Sequence, residues 1–83
     1  MRIPRDLSGS DLIRALSALG YSVTRRSGSH VRLTTSERGQ HHVTIPNHDA
    51  LRLGTISAIL ADVAEHFAMT RSELVERLFE RKA

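Results

Sequence analysis

The stretch YSVTRRSGSHVRL, Tyr21–Leu33, decides the fold of this 83-residue chain. Apolar and polar residues alternate on both sides of its central glycine, and a period of two is typical of a strand with one buried face. Gly28 allows the chain to turn tightly between the two halves. The pattern therefore predicts a β-hairpin that buries Val31 and Leu33 and leaves His30 exposed.

The residues before the hairpin have the spacing of an amphipathic helix. Ser8 or Ser10 can cap its start, where Ser8 and Asp11 have the spacing of a capping box, and Gly20 is a favourable residue for its end. In the strand that follows, the alternation turns Tyr21 and Val23 toward the core. The helix is predicted to face the same core with Leu12, Ile13, Leu16 and Leu19.

A third strand and two more helices are predicted after the hairpin. The alternation in HVTIP, His42–Pro46, indicates a strand that ends at its proline. Thr55 is the predicted N-cap of a second helix, and Thr70 with Glu73 forms a capping-box pattern for a third. The fold class is therefore predicted as α+β, with the order αβββα(α) and a three-stranded antiparallel sheet whose helices pack on one face. The chain length predicts a single domain over residues 1–83.

Positive charge is concentrated in the first part of the chain. Residues 1–33 contain six arginines and two acids, whereas the formal net charge of the whole chain is +3. Nearly all of the cations are arginine, the side chain best suited to bidentate contact with phosphate. This distribution indicates a polyanionic partner, and nucleic acid is the expected class.

Composition also limits where the protein acts and what chemistry it supports. The chain has no cysteine, which excludes disulfides and thiol chemistry. Its longest apolar run, residues 58–61, is too short for a membrane span or an export signal, so we expect a cytoplasmic protein. His41 and His42 are adjacent on a strand and project to opposite sides, which is poor geometry for a shared metal. We expect neither a metal site nor a cofactor.

Four motifs, in this order, resemble the HicA toxins of bacterial type II toxin–antitoxin systems. They are the Leu-Gly-aromatic step Leu19–Tyr21, the triplet Gly28-Ser29-His30, VTIPNH (Val43–His48) and LGTISAIL (Leu53–Leu60). The resemblance extends over most of the chain and implies an αβββα fold related to double-stranded-RNA-binding domains. It also implies an endoribonuclease that cleaves messenger RNA, an mRNA interferase, together with a neutralising HicB-like antitoxin as its partner in a toxin–antitoxin complex.

The resemblance places His30 on the catalytic histidine of that family. RNA supplies its own nucleophile, the ribose 2′-hydroxyl, so cleavage needs a proton acceptor, a proton donor and stabilisation of charge at phosphorus. Histidine titrates near neutral pH and can serve as acid or base without a metal ion. His42, predicted on the same sheet face, is a candidate second titratable group. The residues expected to contact RNA are Arg25, Arg26, Ser29, Arg32 and His48.

Two other classes of function are compatible with the same residues. A non-catalytic double-stranded RNA-binding module would use the basic residues equally well and would tolerate replacement of His30. A regulatory subunit would turn its basic face to an acidic protein and would not bind RNA. The three aromatic rings, Tyr21, Phe67 and Phe79, are all predicted in the core, so recognition through base stacking is not expected.

Overall fold

The helices and strands follow the predicted order in the computed structural model, which describes residues 3–79. The elements are α1 (Gly9–Leu16, followed by a 3-10 turn at Ser17–Leu19), β1 (Ser22–Ser27), β2 (His30–Thr35), β3 (His41–Pro46), α2 (Leu53–Phe67) and α3 (Arg71–Phe79). The strands form one antiparallel sheet in the order β1-β2-β3, which confirms the predicted α+β class.

One face of the sheet forms the core together with the helices. Val31 and Leu33 of β2 and Val43 and Ile45 of β3 are at most 6% exposed. They belong to the same apolar cluster as the buried residues of α1, α2 and α3. The residues that alternate with them lie on the other face, which the helices leave uncovered. The alternation predicted for β2 and β3 is therefore confirmed.

Both predicted capping boxes are present. The Asp11 N–H donates to Ser8 Oγ at 3.0 Å, and the Ser8 N–H donates to Asp11 Oδ2 at 3.1 Å. Before α3, the Glu73 N–H donates to Thr70 Oγ1 at 3.1 Å and the Thr70 N–H donates to Glu73 Oε1 at 2.8 Å. The backbone N–H bond from the capping residue is the main cause that lowers the pKa of each carboxyl. Gly20, with φ of 82°, ends the first helical segment as predicted.

The start of α2 differs from the prediction. The helix begins at Leu53 and its N-cap is Arg52, so the assignment of Thr55 as N-cap was wrong. Arg52 has extended backbone angles, and its carbonyl oxygen accepts the Ile56 N–H at 3.0 Å. Thr55 consequently lies inside the first turn. The sequence alone was misleading because threonine, a residue type that is common at N-caps, also occurs in the first turn of helices that begin earlier.

The first strand lies beyond the layer of helices. Val23 is paired with Leu33 and faces the side on which the helices pack, yet it is 39% exposed. The expectation that Val23 is buried with Tyr21 was wrong for Val23, because α1 and α2 pack over β3 while β1 forms the far edge of the sheet. All six residues of β1 are exposed in consequence.

Between residues 3 and 79, none of the helices combines the length and the apolar character that crossing a lipid bilayer requires.

Candidate active site

A tight turn presents His30 at the beginning of the central strand. Ser27 and His30 are paired across the β1–β2 hairpin, and only Gly28 and Ser29 lie between them. Gly28 has φ of 59°, and a glycine in the first position of a two-residue turn suits the twist of a hairpin. His30 is exposed, and its partner on the other side is Pro46 of β3. The imidazole is therefore open to a ligand from the uncovered face.

The segment after β3 is bonded to this turn. The Asn47 N–H donates to the carbonyl oxygen of Ser29 at 2.6 Å. The Asn47 side chain accepts a hydrogen bond from Ser10 Oγ at 3.2 Å. Asn47 thus links the N-terminal turn of α1 to the residue that precedes His30. The sequence prediction missed Asn47, since its contacts join segments that are distant along the chain.

The approach of α1 to this segment depends on Gly9. Its N–H donates to the carbonyl oxygen of His48 at 2.9 Å. A Cβ atom at Gly9 would overlap the carbonyl oxygen of Pro46 and would lie 2.8 Å from Cα of Asn47. A glycine at the first position of α1 therefore lets the helix pack closely against the end of β3, beside His30.

His48 lies two residues after the strand partner of His30 and is exposed. It lines a pocket of about 370 Å³. The pocket is lined by Pro46, His48, Ala50, Leu51, Arg52 and Thr55. Arg52 adds a cation to this region that the sequence prediction did not select, because nothing in its local pattern distinguished it from the other arginines.

A β-bulge decides which arginines share a face with His30. Val23 pairs with Leu33, but the next pair is Arg25 with Arg32, so Thr24 is an extra residue on β1. Without the bulge, Thr24 would stand opposite Arg32 and Arg25 would point to the helix side. The bulge instead brings Arg25 directly opposite Arg32 on the uncovered side.

We call this uncovered side the open face. Its members are Arg25 of β1, His30, Arg32 and Thr34 of β2, and His42 and Thr44 of β3.

Arg26 is not brought to the open face. It pairs with Val31, whose side chain is buried in the core, so the register directs Arg26 to the helix side of the overhanging strand. The side chain is exposed there because no helix covers β1. The three arginines that the sequence grouped together are thus divided between two faces.

The open face carries positive charge without acidic neighbours in the sheet. The three strands contain three arginines, three histidines and no aspartate or glutamate. Like charges directly opposite each other destabilise a sheet, as at Arg25 and Arg32. Neither arginine forms an ion pair with any residue between 3 and 79. The Nε atom of Arg32 is buried and lacks a hydrogen-bond partner within the same range. A bound anion would compensate the opposed charges of the two arginines.

His42 lies on the open face but at a distance from His30. It pairs with Thr34, four residues along β2 from His30, which corresponds to about 13 Å of strand. The Thr34 hydroxyl lies 2.7 Å from His42 Nδ1 and 2.8 Å from Thr24 Oγ1. The two histidines are therefore too far apart to act on one phosphate. His41 faces the helices, so the two adjacent histidines project to opposite sides as predicted. Over residues 3–79, His, Asp and Glu form no group of three suited to a metal ion.

The sequence matches one protein family over the part of the chain that builds this site. The model of the HicA toxin of bacterial toxin–antitoxin systems matches residues 9–64, from the start of α1 through most of α2. No significant match was found to a curated protein or to a solved structure. The matched segment contains the whole sheet, the Gly28-Ser29 turn and the segment after β3, and it is more than half of the chain. The chain belongs to the HicA toxin family of bacterial toxin–antitoxin systems, and it is a toxin of that kind.

Proposed function

We propose that this toxin is an endoribonuclease that cleaves messenger RNA and that His30 is its general acid–base residue. The observation that carries the proposal is the position of an exposed imidazole on a sheet face with two opposed arginines and no acidic residue. His30 and Arg32 are two residues apart on the same side of β2, about 7 Å along the strand. A phosphate group beside His30 is then within reach of the neighbouring guanidinium groups.

The proposed reaction uses the substrate's own hydroxyl as nucleophile. The ribose 2′-oxygen forms a bond to phosphorus while the bond from phosphorus to the 5′-oxygen breaks. The products are a 2′,3′-cyclic phosphate and a 5′-hydroxyl end. His30 accepts the 2′-hydroxyl proton or donates a proton to the leaving 5′-oxygen, and water serves for the other of these two transfers. One such group contributes about 10²–10⁴-fold to the rate. No step calls for a metal ion, and we propose metal-independent cleavage.

Arg25, Arg32, Ser29 and His48 are the proposed RNA contacts. Guanidinium groups stabilise the negative charge that develops on the phosphorane oxygens. Ser29 precedes His30 in the turn, and His48 follows Pro46, the strand partner of His30. Both are exposed. Arg26 was predicted to contact RNA as well, but its direction on β1 supports no contact with a phosphate on the open face.

The proposed partner is a HicB-like antitoxin that covers the open face. A ribonuclease that cuts the transcripts of its own host must be held inactive, and blocking access to His30 is sufficient for that. An acidic surface or inserted segment would complement Arg25 and Arg32. We propose that residues 1–83 act as one domain within such a complex, in the cytoplasm, where the RNA substrate is found.

Expression in a bacterial host tests this proposal. The wild type, His30→Ala and Glu65→Ala are induced separately, and growth is followed together with transcript integrity. Glu65 is exposed on α2 and serves as a surface control. We expect growth arrest and broken transcripts for the wild type and the control, and neither for His30→Ala. Intact transcripts with the wild type would overturn the proposal, and equal arrest by His30→Ala would indicate a non-catalytic RNA-binding module.

The chemistry is tested with purified protein and RNA. A cyclic phosphate at the cleaved end is expected from attack by the 2′-hydroxyl. A 3′-hydroxyl end would mean that water attacks phosphorus instead, and the reaction written above would then be wrong.

A further inference from the structure

The open face offers a line of positions along β2 rather than one isolated site. His30, Arg32 and Thr34 project from the same side of one strand at intervals of about 7 Å. This interval is comparable with the separation of neighbouring phosphates in an extended single strand of RNA. Each of the three has different neighbours across the sheet, and these neighbours define what each position can bind.

The middle position has the properties of an anion site. Arg25 and Arg32 are paired across β1 and β2, and the bulge at Thr24 creates this pairing. The Arg32 Nε–H is buried with no acceptor among residues 3–79. A buried donor without an acceptor is costly, and so is a pair of directly opposed cations. A phosphate between the two guanidinium groups removes the penalty of the opposed cations.

The third position consists of polar side chains that are hydrogen-bonded to one another. Thr24 Oγ1 and Thr34 Oγ1 are 2.8 Å apart, and Thr34 Oγ1 is 2.7 Å from His42 Nδ1. Because Thr34 engages Nδ1, Nε2 is the ring nitrogen of His42 left to contact a ligand. His42 is exposed, so a phosphate oxygen can reach this nitrogen.

We infer that the open face binds a single RNA strand along β2 at three consecutive phosphates. The scissile phosphate lies at His30, the next at Arg25 and Arg32, and the third at Thr34 and His42. The inference rests on the proposed ribonuclease function and adds the course of the substrate. A single strand fits because a six-residue strand is only about 20 Å long, whereas duplex recognition of the double-stranded-RNA-binding type spans about 16 base pairs.

This path of the RNA strand predicts different roles for two adjacent arginines. Arg25 lies on the RNA strand's path, whereas Arg26 points to the other side of β1. The adjacent pair is therefore a matched comparison with equal charge, equal side chain and equal exposure class. Arg14, exposed on α1, provides a second control for loss of one positive charge.

Binding is measured by NMR titration of the isotope-labelled protein with uncleavable 2′-O-methyl oligonucleotides of two to eight nucleotides. We expect affinity to rise up to four nucleotides, which carry three phosphates, and then to level off. The slope of log Kd against log salt concentration should be about 0.7 for the tetranucleotide, because arginines hold one of its three phosphates. The amides of His30–Thr35 should show the largest shifts.

Variants then test the assignment of positions. Arg25→Ala and Arg32→Ala should each weaken binding of the tetranucleotide about tenfold, the effect of losing one charge-assisted hydrogen bond, and each should lower the salt slope. Arg26→Ala and Arg14→Ala should leave both quantities unchanged. Circular dichroism spectra of all four variants verify that each is folded.

Three results would overturn the inference. They are equal weakening by Arg26→Ala and Arg25→Ala, affinity that continues to rise up to eight nucleotides, and no shift of any open-face amide. Since the oligonucleotides cannot be cleaved, these results are independent of catalysis. Binding as expected without cleavage of natural RNA would refute the ribonuclease proposal alone, and cleavage without this binding pattern would refute the RNA course alone.

Discussion

His41 and His66 stack face to face, with ring centroids 4.4 Å apart and an angle of 11° between the ring planes. His41 begins β3 and His66 is in the last turn of α2. Tyr21 Oη lies 2.6 Å from His41 Nδ1, and His41 Nε2 lies 3.2 Å from Asp62 Oδ1. His66 Nε2 donates to the carbonyl oxygens of Glu37 at 2.9 Å and Gly39 at 3.1 Å. This Tyr21–His41–His66 cluster joins the sheet, α2 and the turn before β3. It lies at the start of β3, the end of that strand farther from His30.

Removing the hydroxyl of Tyr21 tests how much the cluster contributes to stability. Tyr21→Phe preserves the ring but leaves His41 Nδ1, a part-buried group, without its partner. We expect the free energy of unfolding to fall by about 1–2 kcal/mol. Urea denaturation measures the change, and Thr44→Val on the open face is a control for loss of an exposed hydroxyl. An equal effect of both variants would show that the bond to His41 adds nothing.

Alkaline pH should weaken the fold through the same tyrosine. Burial, with a smaller effect from the charge of Asp62, raises the pKa of Tyr21 from 10.0 to about 12. Because the folded pKa is above the unfolded value, the contribution to stability is complete below pH 10 and is lost as pH rises toward 12. The chain has one tyrosine and no tryptophan, so phenolate absorbance reports this group directly. A midpoint near 10 in the folded protein would contradict the expectation.

Two glycines at helix starts should respond oppositely to alanine. At Gly9 a Cβ would overlap the Pro46 carbonyl oxygen, and we expect Gly9→Ala to lower the free energy of unfolding by about 1–3 kcal/mol. At Gly54, in the first turn of α2, a Cβ meets no atom within 4 Å. Gly54→Ala should therefore stabilise by about 0.5–1 kcal/mol. Thermal unfolding of both variants checks the signs, and destabilisation by Gly54→Ala would refute this reasoning.

The capping carboxylates should make stability fall in acid. The backbone N–H and the hydroxyl of the capping residue lower the pKa of Asp11 from 3.8 and that of Glu73 from 4.5. The capping residues are Ser8 and Thr70. Because the pKa is lower in the folded state, each carboxylate stabilises the fold at pH values above its unfolded pKa. This contribution to stability is lost as pH falls through the folded pKa. Asp11→Asn and Glu73→Gln should flatten the decline of the urea midpoint below pH 4.5. Glu76→Gln, exposed on α3, is the control and should leave the decline as in the wild type.

His30 and His42 should affect different kinetic parameters. His30→Ala removes the proposed acid–base group, so the rate at saturating RNA should fall by about 10²–10⁴-fold. His42→Ala removes a contact about 13 Å away along the strand, so it should raise the half-saturating RNA concentration and leave the saturated rate unchanged. Single-turnover cleavage over a range of enzyme concentrations separates the two quantities. A loss of saturated rate in His42→Ala would place that histidine at the reacting phosphate.

The sequence alone determined the order of the elements and the buried face of β2 and β3. Alternation in Val31–Thr35 and His42–Pro46 follows from the geometry of an extended chain, in which successive side chains point to opposite sides. The capping boxes at Ser8 and Thr70 depend on residues three positions apart. Such short-range patterns can be recognised without knowledge of tertiary contacts. They suffice to predict that His30 is exposed beside a glycine turn.

Only the tertiary structure decided which side chains meet at the site. The bulge at Thr24 changes the side to which Arg25 and Arg26 point, and its hydroxyl bonds to Thr34, ten residues away. Asn47 reaches Ser29 and Ser10 only because α1 packs against the end of β3. The stacking of His41 on His66 likewise requires α2 to be docked. These contacts depend on cross-strand register and on helix packing. Both are set by the whole core and cannot be predicted from a local sequence pattern.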